Sequence, residues 1–247
     1  MSGAAQRSGR LIGVGVGPGD PELMTLKAAA AVAAADVIAH FAKAGRPSHA
    51  RAIAAGFIKP GTLELPLLYP VTTEIPRHDP AYARAIDGFF DASARSVAEH
   101  LERGRDVAVL SEGDPLFYGS YMHLHVRLAA RFPAEVIPGV TSLSGCWSEA
   151  GLPIAHGDDV LTVLPATLAR EELARRFAQS DAAVVMKIGA HLAKVRAALV
   201  DAGRLAGAVY VENGTTAQSR SLPLAEKRDD RAPYFAVVLV PGWRGGR

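Results

Sequence analysis

The chain is poor in the residue types that would suggest a function early. Its 247 residues include one cysteine, Cys146, which excludes an intrachain disulfide and a zinc or iron–sulfur site built from several cysteines. It has 27 Lys and Arg residues and 25 Asp and Glu residues, a balance too even for charge-driven binding of nucleic acid. We therefore expect no nucleic-acid partner.

Long apolar runs are also missing. The most apolar stretch, 26–42, is rich in alanine and contains Lys27, Asp36 and His40, which argues against a transmembrane helix. The first ten residues lack the uninterrupted apolar segment of a signal peptide. Together with the single cysteine, these features predict a cytoplasmic protein that has no membrane partner.

The rest of the sequence is that of a folded chain, with 49% hydrophobic and 21% charged residues. Apolar runs alternate with helix-compatible stretches, which predicts the α/β class with parallel sheets. The proline-rich region 60–80 is expected to be an irregular connection. The pattern restarts after Gly151, so we expect two α/β domains, residues 1–140 and 141–247.

Four segments stand where predicted strands end: Gly13–Asp20, Ser111–Gly119, Ile137–Leu143 and Val211–Thr216. Glycine in such loops lets a ligand approach the backbone, and loops at the carboxyl ends of parallel strands bind ligands. The first segment does not match the dinucleotide fingerprint, because its two G-x-G-x-x-G frames meet Pro18 and Asp20. Each segment also has a structural interpretation as a tight turn or a helix cap.

In this order and spacing, the segments resemble the tetrapyrrole (corrin and porphyrin) methylase family over nearly the whole chain. Residues 14–28, 111–119 and 234–240 are most similar to the branch that methylates precorrin-2 at carbon 20 in cobalamin biosynthesis. The resemblance implies two αβα domains with S-adenosylmethionine in the cleft between them, S-adenosylhomocysteine as product, a homodimer and no metal. By position, it implies these cofactor-binding residues: Pro18, Glu112, Gly113, Asp114, Phe117, Thr141, Ser142, Ile188 and Gly214.

No catalytic residue is assigned. Methylation leaves a proton on carbon 20 that must be lost, and the base is either solvent, a ring nitrogen or a side chain of region 60–80: Tyr69, Glu74, His78 or Asp79. His123 and His125 lie two apart on a predicted helix, which disfavours a shared metal. Cys146 is expected in the core, and Glu226–Arg231 as a solvated turn.

Several alternatives stay open at this stage. The substrate ring is either metal-free or already carries cobalt. Related methylases act on uroporphyrinogen III, on ribosomal RNA or on a modified histidine of a translation factor. A different class is a regulatory module that binds a nucleotide through the same glycine loops without turnover.

Overall fold

The computed structural model describes residues 7–70 and 79–243. The chain divides into two compact units, residues 1–141 and 142–247. Both units mix helices and strands, so the predicted α/β class is confirmed. Among the described residues, no helix is both long and apolar enough to cross a membrane.

The first unit alternates strands with helices. Three of the helices begin at a side-chain cap, supplied by Thr25, Ser48 and Asp79. In chain order, the described elements are β1 (Leu11–Gly15), α1 (Leu26–Ala34), β2 (Val37–Lys43), α2 (His49–Ile53), β3 (Leu63–Tyr69), α3 (Pro80–Glu102), β4 (Val107–Ser111), α4 (Tyr121–Leu128) and β5 (Ala134–Ile137).

Within its described residues, the first unit has one five-stranded parallel sheet in the order β3-β2-β4-β1-β5. Strands β1 and β4 are buried at every position. One apolar cluster joins the sheet to α1 and α2, and another joins it to α3 and α4. Because both faces are covered, the edge at the carboxyl ends of the strands is the place for a ligand.

The predicted irregular connection at 60–80 is wrong over residues 63–69. Strand β3 pairs with β2 in parallel, from Val37 opposite Leu63 to Lys43 opposite Tyr69. Pro66 lies in the middle of β3 and has no N–H for a ladder. The strand accepts proline because, among the described residues, it has a neighbour on one side only.

The second unit contains a mixed sheet, so the prediction of a parallel sheet is wrong here. Its described elements are α5 (Ser142–Glu149), β6 (Leu161–Pro165), α6 (Arg170–Gln179), β7 (Ala182–Met186), α7 (Leu192–Asp201), β8 (Val209–Glu212), β9 (Arg220–Pro223) and β10 (Ala236–Val240). The order is β6-β7-β10-β8-β9, and among these pairs only β6 and β7 run parallel. The connection 213–219 is too short for a parallel crossover, which forces β8 and β9 to be antiparallel.

This topology still gives the second unit one shared edge of strand ends. Strand β10 runs opposite to both β7 and β8, so β6, β7 and β8 all point the same way. The loops that follow β7 and β8 therefore leave the sheet at the same edge. Those loops contain Ile188 and Gly214.

The charged run 226–231 is not uniformly solvated, which corrects the prediction for Lys227. The Lys227 side chain is 9% exposed, and its ammonium lies 4.8 Å from the centre of the buried Tyr210 ring. Arg196 donates hydrogen bonds to the carbonyl oxygens of Leu224 and Lys227. This turn is therefore fastened to the second unit by Lys227 and Arg196, while its neighbouring charged side chains stay exposed.

Candidate functional site

The loops after β1 and β4 are joined by their backbones. The N–H of Val16 donates to the carbonyl of Ser111 at 2.9 Å, and the N–H of Gly113 donates to that of Gly17 at 2.8 Å. Gly17 has φ +82°, a conformation that L side chains rarely adopt. The structure thus brings the Pro18 and Gly113 segments together at the carboxyl edge of the first sheet.

The loop after β5 reaches the same place. A Cβ atom on Gly139 would lie 2.0 Å from the carbonyl oxygen of Gly113, and one on Gly15 would lie 2.5 Å from the nitrogen of Gly139. Real Cβ atoms do not come this close to backbone, so glycine is required at both positions. Gly15, Gly113 and Gly139 form a backbone cradle, and we use the name glycine cradle for these three residues.

Asp114 joins the loops after β4 and β5 by a side-chain hydrogen bond. One carboxylate oxygen accepts the N–H of Gly139 at 3.2 Å, and the other accepts the N–H of Leu116 at 2.9 Å. A carboxylate has about four acceptor positions, so these two bonds leave room for a ligand hydroxyl. Asp114 is also one of the residues that the family resemblance implies at the cofactor.

The segment that follows Asp114 presents apolar surface. Leu116, Phe117 and Tyr118 are 48%, 36% and 47% exposed. Tyr118 has φ +56°, which is uncommon for a bulky residue and marks a constrained loop. Glu112 is the first residue after β4, and desolvation raises the pKa of its carboxyl, although His49 and a hydrogen bond from the N–H of Ala50 act in the opposite direction.

Thr141 and Ser142 stand at the division between the units. Thr141 is the last residue of the first unit, and Ser142 is the first residue of both the second unit and α5.

In the second unit, the predicted site residues lie beside strained backbone. Ile188 is fully buried and follows Lys187, which has φ +59°. Gly214 stands between Asn213 and Thr215, whose φ values are +50° and +67°. Non-glycine residues with positive φ cluster at functional sites, where the surrounding structure holds them in that conformation.

Sequence reasoning missed two hydroxyls in the loop after β8. Thr215 Oγ1 and Ser219 Oγ are buried and have no hydrogen-bond partner within the part of the chain that is described. A buried hydroxyl normally finds a partner, so these two unpaired oxygens mark the loop as a candidate ligand contact. The Asn-Gly turn signals the loop in the sequence, but it does not reveal the orphaned oxygens.

Two of the four candidate bases lie within the described residues. Asp79 accepts a hydrogen bond from the N–H of Ala81 as the cap of α3, and Tyr69 shares one with Ser120. Glu74 and His78 lie outside the described residues. No base is assigned on this geometry.

The histidines and the cysteine have local roles. His123 stacks on Phe90 with ring centres 3.9 Å apart, and His125 contacts Tyr121. Cys146 is buried, and burial raises the pKa of its thiol to about 11, which fits the predicted core position. Within residues 7–70 and 79–243, no three His, Cys, Asp or Glu side chains are grouped so that they could hold a metal ion.

Comparison with known proteins identifies the family of this chain. The family described as Tetrapyrrole (Corrin/Porphyrin) Methylases matches residues 10–227. The chain belongs to the tetrapyrrole methylase family. The predicted resemblance is therefore confirmed at the level of the family.

Individual family members differ in their similarity to the chain. A precorrin-2 C(20)-methyltransferase of Sinorhizobium sp is 64% identical over 96% of both chains. A cobalt-precorrin-2 C(20)-methyltransferase of Salmonella typhimurium is 29% identical over 94% of this chain and 96% of that protein. The solved uroporphyrin-III C-methyltransferase of Thermus thermophilus, complexed with S-adenosylhomocysteine, has a TM-score of 0.63 and 24% identity, covering 94% of this chain and 97% of that one.

Proposed function

We propose that this tetrapyrrole methylase transfers a methyl group from S-adenosylmethionine to carbon 20 of precorrin-2, giving precorrin-3A in cobalamin biosynthesis. The observation that carries the proposal is the 64% identity with the Sinorhizobium enzyme over 96% of both chains. The relative that acts on the cobalt-bearing ring is 29% identical, which favours the metal-free ring as substrate.

The residues present fit S-adenosylmethionine. When bound, it supplies a methyl group on a positively charged sulfur that leaves as a thioether. The glycine cradle leaves its backbone bare for close approach, and Thr215 and Ser219 offer buried hydroxyls. We propose that each unit carries part of the binding set, namely Pro18, Glu112, Gly113, Asp114, Phe117 and Thr141 in the first and Ser142, Ile188 and Gly214 in the second.

The chain's contribution to the reaction is to bind and orient. Methyl transfer needs an electron-rich carbon in line behind the methyl group, and holding two reactants in that geometry supplies roughly 7–11 kcal/mol. The exposed Phe117 and Tyr118 offer apolar surface to a flat ring. Because the sulfonium is already activated, no covalent intermediate on the protein and no metal are needed in this proposal.

The decisive experiment locates the transferred methyl group. The chain is incubated with precorrin-2 and S-adenosylmethionine labelled with ¹³C in the methyl group, and the product is examined by NMR. We expect one labelled methyl group, on carbon 20. Label on a pyrrole-ring carbon, or turnover only with the cobalt-bearing ring, would move the assignment to a sibling enzyme.

Calorimetry tests the cofactor separately. We expect about one site per chain for S-adenosylhomocysteine, and chelation of metals should leave binding intact. Folded protein that binds neither S-adenosylhomocysteine nor S-adenosylmethionine would overturn the methyl-transfer proposal. Binding without any turnover on a tetrapyrrole would instead support the regulatory module.

We also propose that the chain works as a homodimer in the cytoplasm. The family resemblance supports the dimer, and the single cysteine agrees with a reducing compartment. Light scattering coupled to size-exclusion chromatography measures the mass in solution, and fractionation of the source cells locates the protein. A monomer, or a protein in an exported fraction, would contradict these two points.

A further inference from the structure

The loop between β4 and α4, residues 112–120, is anchored at its first end by contacts already described. Gly113 is bonded to Gly17, and Asp114 accepts hydrogen bonds from Gly139 and Leu116. The loop also folds closely on itself, since a Cβ atom on Gly119 would lie 2.8 Å from the carbonyl oxygen of Pro115. Its position therefore depends on what holds its second end.

Ser120 forms that second end, and its hydroxyl is not used in the usual way. A serine at a helix N-cap normally has extended backbone and accepts an N–H of the first turn. Here φ is −70° and ψ is −22°, and within the described structure the Ser120 side chain makes no capping bond. Its hydroxyl instead shares a hydrogen bond with the phenol of Tyr69, which is 51 residues earlier in the chain.

Tyr69 is well placed to hold the loop because aromatic neighbours fix its ring. The ring centre lies 4.5 Å from that of Phe89 on α3 and 5.8 Å from that of Phe41 on β2. Phe90 meets the ring edge-on at 6.2 Å. These contacts fix the direction of the phenol, so the Tyr69 hydroxyl is a rigid point at the end of β3.

We propose that Tyr69 is a positioning residue for cofactor binding, acting through the Ser120 hydroxyl on the 112–120 loop. This inference rests on the proposed function. Asp114 belongs to the first anchor and Phe117 lies between the two anchors, and both residues are expected at the cofactor. If the second anchor is released, a smaller fraction of molecules has the loop in its binding conformation, and the apparent affinity falls by that fraction.

The test is a double-mutant cycle on the affinity for S-adenosylhomocysteine, measured by calorimetry. Tyr69→Phe keeps the ring among its aromatic neighbours, and Ser120→Ala removes the second hydroxyl. We expect each variant to bind roughly 3- to 10-fold more weakly, the effect of one neutral hydrogen bond. The double variant should bind no more weakly than either single variant, because both changes break the same bond.

Three further measurements separate positioning from a general structural role. Ser120→Thr keeps a hydroxyl and should restore most of the affinity. Tyr82→Phe makes the same chemical change at a different place, on α3, and should bind within about two-fold of wild type. In steady-state assays, KM for S-adenosylmethionine should rise in Tyr69→Phe by more than KM for the tetrapyrrole.

Several outcomes would overturn the inference. One is wild-type affinity in Tyr69→Phe and Ser120→Ala, and another is a double variant whose losses multiply. A rise in KM for the tetrapyrrole alone would place the two hydroxyls at the substrate instead. If the wild-type chain itself fails to bind S-adenosylhomocysteine, the proposed function falls and this inference falls with it, a result that is distinct from the other three.

Discussion

The two units build their candidate site loops from different kinds of backbone. In the first unit, glycines stand where three loops touch, and a Cβ atom on Gly139 would lie 2.0 Å from Gly113. In the second unit, Lys187, Asn213 and Thr215 keep their side chains and adopt positive φ. In the first unit space is the main limit, and among the described residues only Tyr118 is a non-glycine residue at positive φ. In the second unit conformation is the main limit, at an expected 1–3 kcal/mol for each strained residue.

The largest expected effect comes from filling the glycine cradle. Gly139→Ala should lower the free energy of unfolding by about 3 kcal/mol and abolish S-adenosylhomocysteine binding, because its new Cβ meets backbone on two sides. Thermal melts and calorimetry measure both. Gly88→Ala is the control, since Gly88 is an exposed position of α3 with nothing within 4 Å of its Cβ, and the change should raise the free energy of unfolding by roughly 0.5–1 kcal/mol. A stable, cofactor-binding Gly139→Ala variant would refute the spatial limit.

The next effect concerns the carboxylate that fastens the cradle. Asp114→Ala removes the acceptor of the Gly139 and Leu116 N–H groups and should weaken cofactor binding by about 1.5–3 kcal/mol, or roughly 10- to 150-fold. Asp158→Ala removes the same charge from an exposed loop and should leave affinity unchanged. Unchanged affinity in a folded Asp114→Ala variant would show that Asp114 serves only to shape the turn.

The third prediction concerns Gly214 of the second unit, where space also limits the side chain that the position can accept. A Cβ atom on Gly214 would lie 2.7 Å from the sulfur of Cys146, so Gly214→Ala should cost about 1–3 kcal/mol of stability. Adding Cys146→Ala removes that sulfur and should restore most of the stability, since the remaining neighbours stand at 3.5 Å. If the thermal midpoint does not recover in the double variant, the contact with Cys146 is not the cause. Cofactor affinity in the same variant then reports whether the ligand also needs a bare Gly214.

The smallest effect has the opposite sign. Thr215 is β-branched at φ +67°, and Thr215→Gly should raise the free energy of unfolding by about 1 kcal/mol while weakening cofactor binding through the lost hydroxyl. Thr216→Gly is the matched control, because Thr216 donates to the carbonyl of Asn213 and does not share the positive φ. That change should lower stability. A Thr215→Gly variant that is less stable than wild type would show that the second unit's loop is not strained.

Local sequence predicts those features whose cause is local. Strand ends followed by glycine correctly place the loops after β1 and β4 at one edge, and the side-chain caps mark helix starts. Strand direction in the second unit depends on β10 inserting between β7 and β8, which no local periodicity encodes. The bond between Tyr69 and Ser120 is equally invisible, because its two ends are 51 residues apart. The prolines of region 60–80 misled the prediction of β3, since an outer strand tolerates a proline that a central strand would exclude.

Pro66 has a consequence for how copies of this chain behave in a crowded solution. Among the described residues β3 is an outer strand that exposes Leu63 and Leu68, a combination that would invite another chain to extend the sheet. A proline at the centre of that strand has no N–H to offer an incoming ladder, so strand addition stops after a few residues. Pro66, which makes β3 hard to predict from the sequence, thereby disfavours edge-to-edge aggregation of the folded protein.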